Sequence, residues 1–140
     1  MKRIYLLAAL ACLGCDVFAQ QKTGDSARQF LLIIRYKSDM KMPDAEALKA
    51  NGQHWGNFIG GLAQSGKLVT GFRPANEGKT ITGAAKITKD GVYDMGKDVV
   101  SSIFVIKAAN MDEAAAIAQK CPIYEMGGSV EVRAVANMAN

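Results

Sequence analysis

The chain is short of the side chains on which most metal, disulfide and membrane chemistry depends. It has one histidine, His54, one tryptophan, Trp55, and three cysteines, of which Cys12 and Cys15 stand among the first fifteen residues. One histidine and the remaining Cys121 cannot supply the three or four ligands of a zinc site, and no carboxylates stand at a spacing that would complete one. A single cysteine beyond residue 15 leaves the body of the chain without an internal disulfide, so packing alone must hold it. No metal or other cofactor is expected. The glycines at 52, 56, 60 and 61 lack the strand, tight turn and lysine of a phosphate loop. Neither G-x-S-x-G nor H-E-x-x-H occurs. Basic residues alternate with acidic ones, and the net charge of +4 gathers into no block interleaved with aromatics. A nucleic-acid partner is therefore not indicated.

What is present begins with an address. MKRIYLLAALACLGCDVFAQ has a basic start at Lys2 and Arg3, an apolar run from Ile4 to Gly14, and small residues around Ala19. That order is the one of a secretory signal peptide, and the run is too short to span a bilayer. Residues 1–19 are read as a signal cleaved after Ala19, giving an exported protein, periplasmic or secreted. The alternative is a lipoprotein, since Leu13-Gly14-Cys15 partly matches a bacterial lipobox and would anchor the chain at Cys15. No transmembrane segment is expected. Residues 20–28 are polar and aperiodic, a flexible leader, and 29–140 form one domain with one core.

Within the domain, RQFLLIIRYK is a strand by its length and β-branched content. Pro43, Asp44 and Glu46 open a helix that runs to Ser65 and ends at Gly66. KLVTGFR (Lys67 to Arg73) is a second strand. KTITGAAKITK with Val92-Tyr93 reads as a hairpin turning at Asp90-Gly91. Val99 to Ala108 is a further strand. Asn110 caps a second helix with Glu113 as its capping-box partner, and that helix stops at Cys121-Pro122. Ser129 to Ala136 is the last strand. This order implies an α+β, ferredoxin-like antiparallel sheet with two helices on one face. Such a sheet usually wets its other face, yet Phe30 to Ile34 and Ile103 to Ile106 are apolar on both. A second copy pressed against that face covers it most simply, so a homodimer is expected.

Four stretches carry a family likeness: FLLIIRYK; His54 to Gly71 (H-x16-G) leading into KLVTGFRP; DGVY at Asp90 to Tyr93; and CPIYEMGGSVEVR from Cys121. The chain resembles the YCII-related proteins, more narrowly their DGPF-domain branch, over about Phe30 to Val135. The resemblance implies a dimeric α/β barrel and a small-molecule enzyme in which a histidine pairs with an aspartate just before the proline after the last helix. Two positions depart from the pattern. Val92 replaces the proline of the turn, and Cys121 stands where the aspartate would be. Only His54 matches residue for residue.

His54 is accordingly the first candidate, as a general acid/base, the role for which histidine is most often used. At 100° per residue, Leu48, Trp55, Phe58, Ile59 and Leu62 form the stripe facing the sheet, with His54 at its border. The competing reading is a half-buried histidine bonded to a carbonyl. Cys121 is the candidate partner, its thiol activated by a nearby imidazole, or else ordinary packing. Gly52, Gly56 and Gly60 recur every four residues and imply close backbone approach to a strand or a partner subunit. Arg35, Glu131 and Arg133 are charges on otherwise apolar strands, placed to line a polar pocket for a small anionic or hydroxylated ligand or to pair at an edge. Tyr93 could close the pocket mouth, while Asp90 shapes its turn. The functional expectation is isomerisation or hydrolytic elimination on a small molecule. The alternative is a non-catalytic ligand-binding or structural module.

Overall fold

The computed structural model describes residues 27–93 and 95–136. The signal segment, Cys15 and most of the leader lie outside these residues. At the centre of the fold is β1 (Arg28–Lys37), whose alternation sorts its side chains strictly. Phe30, Leu32 and Ile34 are fully buried, while Leu31, Ile33 and Arg35 are half-buried on the opposite face. β1 pairs antiparallel with β5 (Asp98–Ala108) on one side and β6 (Ser129–Ala134) on the other. β5 pairs antiparallel with β2 (Leu68–Phe72), giving the order β2-β5-β1-β6. The register slips between Ile34 and Arg35, where an extra β5 residue, Ser101, bulges between the partners Ser102 and Val100.

Both helices lie on the face of Phe30, Leu32 and Ile34. Helix α1 (Ala45–Gln64) starts where Asp44 accepts the Ala47 N–H at 2.8 Å, and Ser65 closes it. Leu62 is its buried apolar residue, and Trp55, Phe58 and Ile59 pack against the core beside it. Helix α2 (Met111–Ala118) buries Ala114, Ile117 and Ala118 against the same sheet face, its alanines letting the helix sit close. The arrangement is the expected ferredoxin-like α+β fold. Across the sheet, Leu31, Ile33, Ile103 and Val105 form a half-exposed apolar face in the single chain. No helix among the described residues is long and apolar enough to cross a membrane.

Several local expectations change. The hairpin β3 (Lys79–Thr82) and β4 (Ile87–Asp90) turns at Gly83 to Lys86. Gly83 and Lys86 both take positive φ, and the Lys86 N–H reaches the Gly83 carbonyl at 3.0 Å. Asp90-Gly91, expected at the tip, instead closes the open end, with the Gly91 N–H on the Gly78 carbonyl at 2.8 Å. A Gly-Ala-Ala-Lys loop carries no Asn, Asp or Pro to announce it. The Asn110 carboxamide accepts the Glu113 N–H as expected, but Glu113 returns to the N–H of Ala109, one residue before the cap. After α2, a 3₁₀ turn at Pro122–Met126, which the sequence reading did not anticipate, leads to Gly127 at φ 68°. The glycine ridge makes no close approach within the chain: a Cβ at Gly52, Gly56 or Gly60 would meet no atom within 4 Å. Of the two expected close approaches, the one to a strand is thus not made.

Candidate functional site

His54 comes to lie over the 3₁₀ turn. Leu62 and Trp55 fix the roll of α1 on the sheet, and that roll turns the face of Asn51 and His54 toward Pro122–Met126. The His54 Nδ1 atom is 2.8 Å from Glu125 Oε1, an approach between residues 71 apart in the chain. Both side chains are about half exposed. One turn earlier on α1, Asn51 is buried. Its Nδ2 donates to the Pro122 carbonyl at 2.9 Å and to Glu125 Oε2 at 2.8 Å. Both neighbours are acceptors, so the orientation of the amide is chemically forced.

The electrostatics follow from these bonds. The Asn51 amide above all holds the Glu125 carboxyl below the ordinary carboxylate range; desolvation, next in size, opposes it, and the His54 ring adds to the lowering. Glu125 is therefore ionised at neutral pH and has no proton to offer. The hydrogen in the bond must belong to Nδ1, which leaves Nε2 of the neutral ring with its lone pair. Such a ring can take a proton from a substrate, and the adjacent carboxylate stabilises the imidazolium that results.

Two hollows meet at this junction. An outer groove of about 600 Å³ runs between α1 and α2, with His54, Glu125, Lys67 and Lys120 around an apolar floor that includes Phe58 and Ile117. An inner cavity of about 700 Å³ lies between α1, the loop after β1 and the sheet. Trp55, Ile59, Phe104 and Met126 line it, with Asn51, Ser102 and Arg73 as polar points. Trp55 and Phe104 face each other at 6.4 Å between ring centroids. Asn51 stands in the wall between the two hollows, because it lines the cavity while bonding Glu125 of the groove.

The other candidates fall elsewhere. Cys121 is packed in the hydrophobic core, and burial pushes its thiol up to about 11, only partly offset by the Ile123 N–H. It is a neutral thiol at pH 7, and the hydrogen-bond partner of His54 is Glu125. Arg35, Glu131 and Arg133 do come together, with Arg35 Nη1 at 2.8 Å from Glu131 Oε2 and Arg133 Nε bonded to Oε1 of the same carboxylate. The two arginines, Arg133 first, hold the Glu131 carboxyl below its ordinary range. By strand alternation this trio sits on the open face of the sheet, with the sheet between it and His54. Tyr93 is exposed and lines a separate depression with Pro74, Met95 and Val99.

Sequence reasoning missed Asn51 and Glu125. The first was visible in principle: positions 51, 55, 58 and 62 fall on one helical stripe, and Asn51 is the polar member of an apolar row. Glu125 had no local signal, since only the 3₁₀ turn aims it at α1.

A family model, the YCII-related domain, matches residues 29–139. The chain belongs to the YCII-related domain family. The H-x16-G spacing of this family member now has a physical content: a Cβ on Gly71 would stand 2.2 Å from Phe104 Cδ1, so glycine there seats the ring that borders the inner cavity. Where the resemblance implied an aspartate at position 121, this YCII-related chain brings a carboxylate to its histidine from position 125. No curated protein matches the chain. Among solved structures it is similar to the 5-chloro-2-hydroxyhydroquinone dehydrochlorinase of Burkholderia phenoliruptrix AC1100, solved in complex with 2,5-dihydroxybenzoquinone. The identity is 18%, the match covers 77% of this chain and 93% of that one, and the TM-score is 0.41.

Proposed function

We propose that this YCII-related protein is a small-molecule enzyme in which His54 moves a proton, catalysing isomerisation or elimination. The observation that carries this reading is the 2.8 Å bond from His54 Nδ1 to an ionised Glu125. Nε2 takes a proton from an acidified C–H or O–H of the substrate, and Glu125 stabilises the imidazolium. Returning that proton to a different atom of the same molecule completes an isomerisation. Delivering it with departure of a leaving group completes an elimination. Neither course needs an oxidant or a reductant.

The test is turnover on a panel of lactones and halogenated hydroxyquinones with His54→Asn and Glu125→Gln. His54→Asn is expected to lower kcat about 10²- to 10⁴-fold, the usual worth of a positioned acid/base, and Glu125→Gln by a smaller factor. Beside His54 in the outer groove stand Glu125 from the 3₁₀ turn, Lys120 following α2 and Lys67 preceding β2. Turnover that survives His54→Asn unchanged removes the proposal.

One observation favours a second reading, a non-catalytic binding module. The larger cavity is lined by aromatic and apolar side chains and does not include His54 among them. A ligand that binds there with the same affinity in wild type and His54→Asn, and leaves chemically unchanged, supports that reading over the first.

A further inference from the structure

The buried amide at Asn51 has a place in this site that reaches beyond packing. Polar side chains on the sheet-facing side of a helix cost free energy unless every hydrogen-bonding group is satisfied, so an asparagine there needs a reason. Here both N–H groups of Asn51 are committed to the 3₁₀ turn, one to the Pro122 carbonyl at 2.9 Å and one to Glu125 Oε2 at 2.8 Å. The first bond fixes the start of the turn to α1. The second takes the carboxylate oxygen that His54 does not use, so the carboxylate is held from both sides, by a buried amide and by a half-exposed ring. Glu125 itself is half exposed, on a turn of five residues. Without the amide its side chain would be free to swing into solvent, as an exposed carboxylate paired with one partner usually does.

We infer that Asn51 is the positioning residue of the site, clamping Glu125 so that its carboxylate fixes the Nδ1–H tautomer of His54. The inference rests on the proton-transfer reading for its purpose, but its test does not. The Asn51 hydrogen bond is also the largest single influence holding the Glu125 carboxyl low, which keeps Glu125 an acceptor over a wider range of pH. A glutamate on a surface turn is held less firmly by its backbone than a shorter acid would be, and the clamp acts on that weakness. The longer side chain would be less defined in direction, and the amide supplies the missing restraint.

His54 is the only histidine of the chain, so ¹⁵N-labelled imidazole resonances in the full-length protein belong to one residue. At a pH where the ring is neutral, the wild type is expected to show Nδ1 protonated and Nε2 bare. Asn51→Leu, which keeps the number and branching of the side-chain heavy atoms and removes the donors, is expected to shift the population toward the Nε2–H form that free imidazole side chains prefer. Glu125→Gln is expected to give the same shift, and adding Asn51→Leu to it is expected to change nothing more. Asn51→Ser, retaining one donor in less volume, serves if the leucine variant does not fold, and is expected to shift the tautomers in the same direction. An unchanged tautomer in a folded Asn51 variant overturns the inference. So does a shift from Asn51→Leu that persists in the Glu125→Gln background, because the amide would then act on the ring by another route. Because the readout needs no turnover, failure of the enzymatic reading and failure of the clamp are separate results.

Discussion

At the scale of single residues, backbone space decides more here than side-chain chemistry. Gly71 is open to solvent on one side, yet its missing Cβ is what allows the Phe104 ring to lie against β2. Gly71→Ala is expected to cost about 1–3 kcal/mol, the usual penalty of overpacking, and urea unfolding measures it. Combining it with Phe104→Leu is expected to recover much of the loss, since the smaller side chain vacates the contested space. Gly128 has the same logic, for a Cβ there would stand 2.4 Å from the Arg35 carbonyl. Only the family spacing H-x16-G marked Gly71, and no local signal set Gly128 apart from the glycines of the α1 ridge, which meet nothing. Spacing shows where glycines recur, and only the tertiary neighbour shows which of them matters.

At the scale of elements, α2 is tied down by one carboxylate. Glu113 accepts the Ala109 N–H at 2.7 Å and the Lys67 ammonium at 2.5 Å, joining the start of α2 to the approach of β2. The Ala109 N–H first, then Lys67, lowers its pKa below the ordinary 4.5. The folded protein thus binds this proton more weakly than the unfolded chain does. The stabilisation is complete above the unfolded value and is lost as pH falls through the folded one. The thermal midpoint is expected to fall on acidification below about pH 5, and to fall less in Glu113→Gln, which lacks the titrating group. An equal acid loss in both proteins would show that Glu113 is not the linkage. The capping signal Asn110-x-x-Glu113 was legible in the sequence. The Lys67 contact, 46 residues away, was not.

At the scale of the molecule, the unsolved surface is the open face of the sheet. Leu31, Ile33, Ile103 and Val105 lie there half-exposed, with the Arg35–Glu131–Arg133 cluster at their side. We propose that a second copy covers this face about a two-fold axis, bringing two such clusters together. Sedimentation of wild type is expected to give twice the monomer mass at micromolar concentration. Ile33→Asp, which puts a charge into the middle of the face, is expected to halve it while preserving the circular dichroism spectrum. A wild type that sediments as a monomer rules the assembly out.

The ferredoxin-like order of strands and helices, the stop of α1 at Gly66 and the Asn110 cap of α2 were legible in the sequence, whereas Asp44 proved to be the cap of α1 and not a residue of its first turn. These depend on local propensity, alternation and residue chemistry, all of which act within a few positions along the chain. Tertiary structure alone decided what His54 bonds. Whether Cys121 or Glu125 reaches the ring depends on the roll of one helix and the direction of one 3₁₀ turn, and the hydrogen bond joins residues 71 positions apart. Packing buried the thiol and left the carboxylate in reach, because the apolar side of that turn had to face the core.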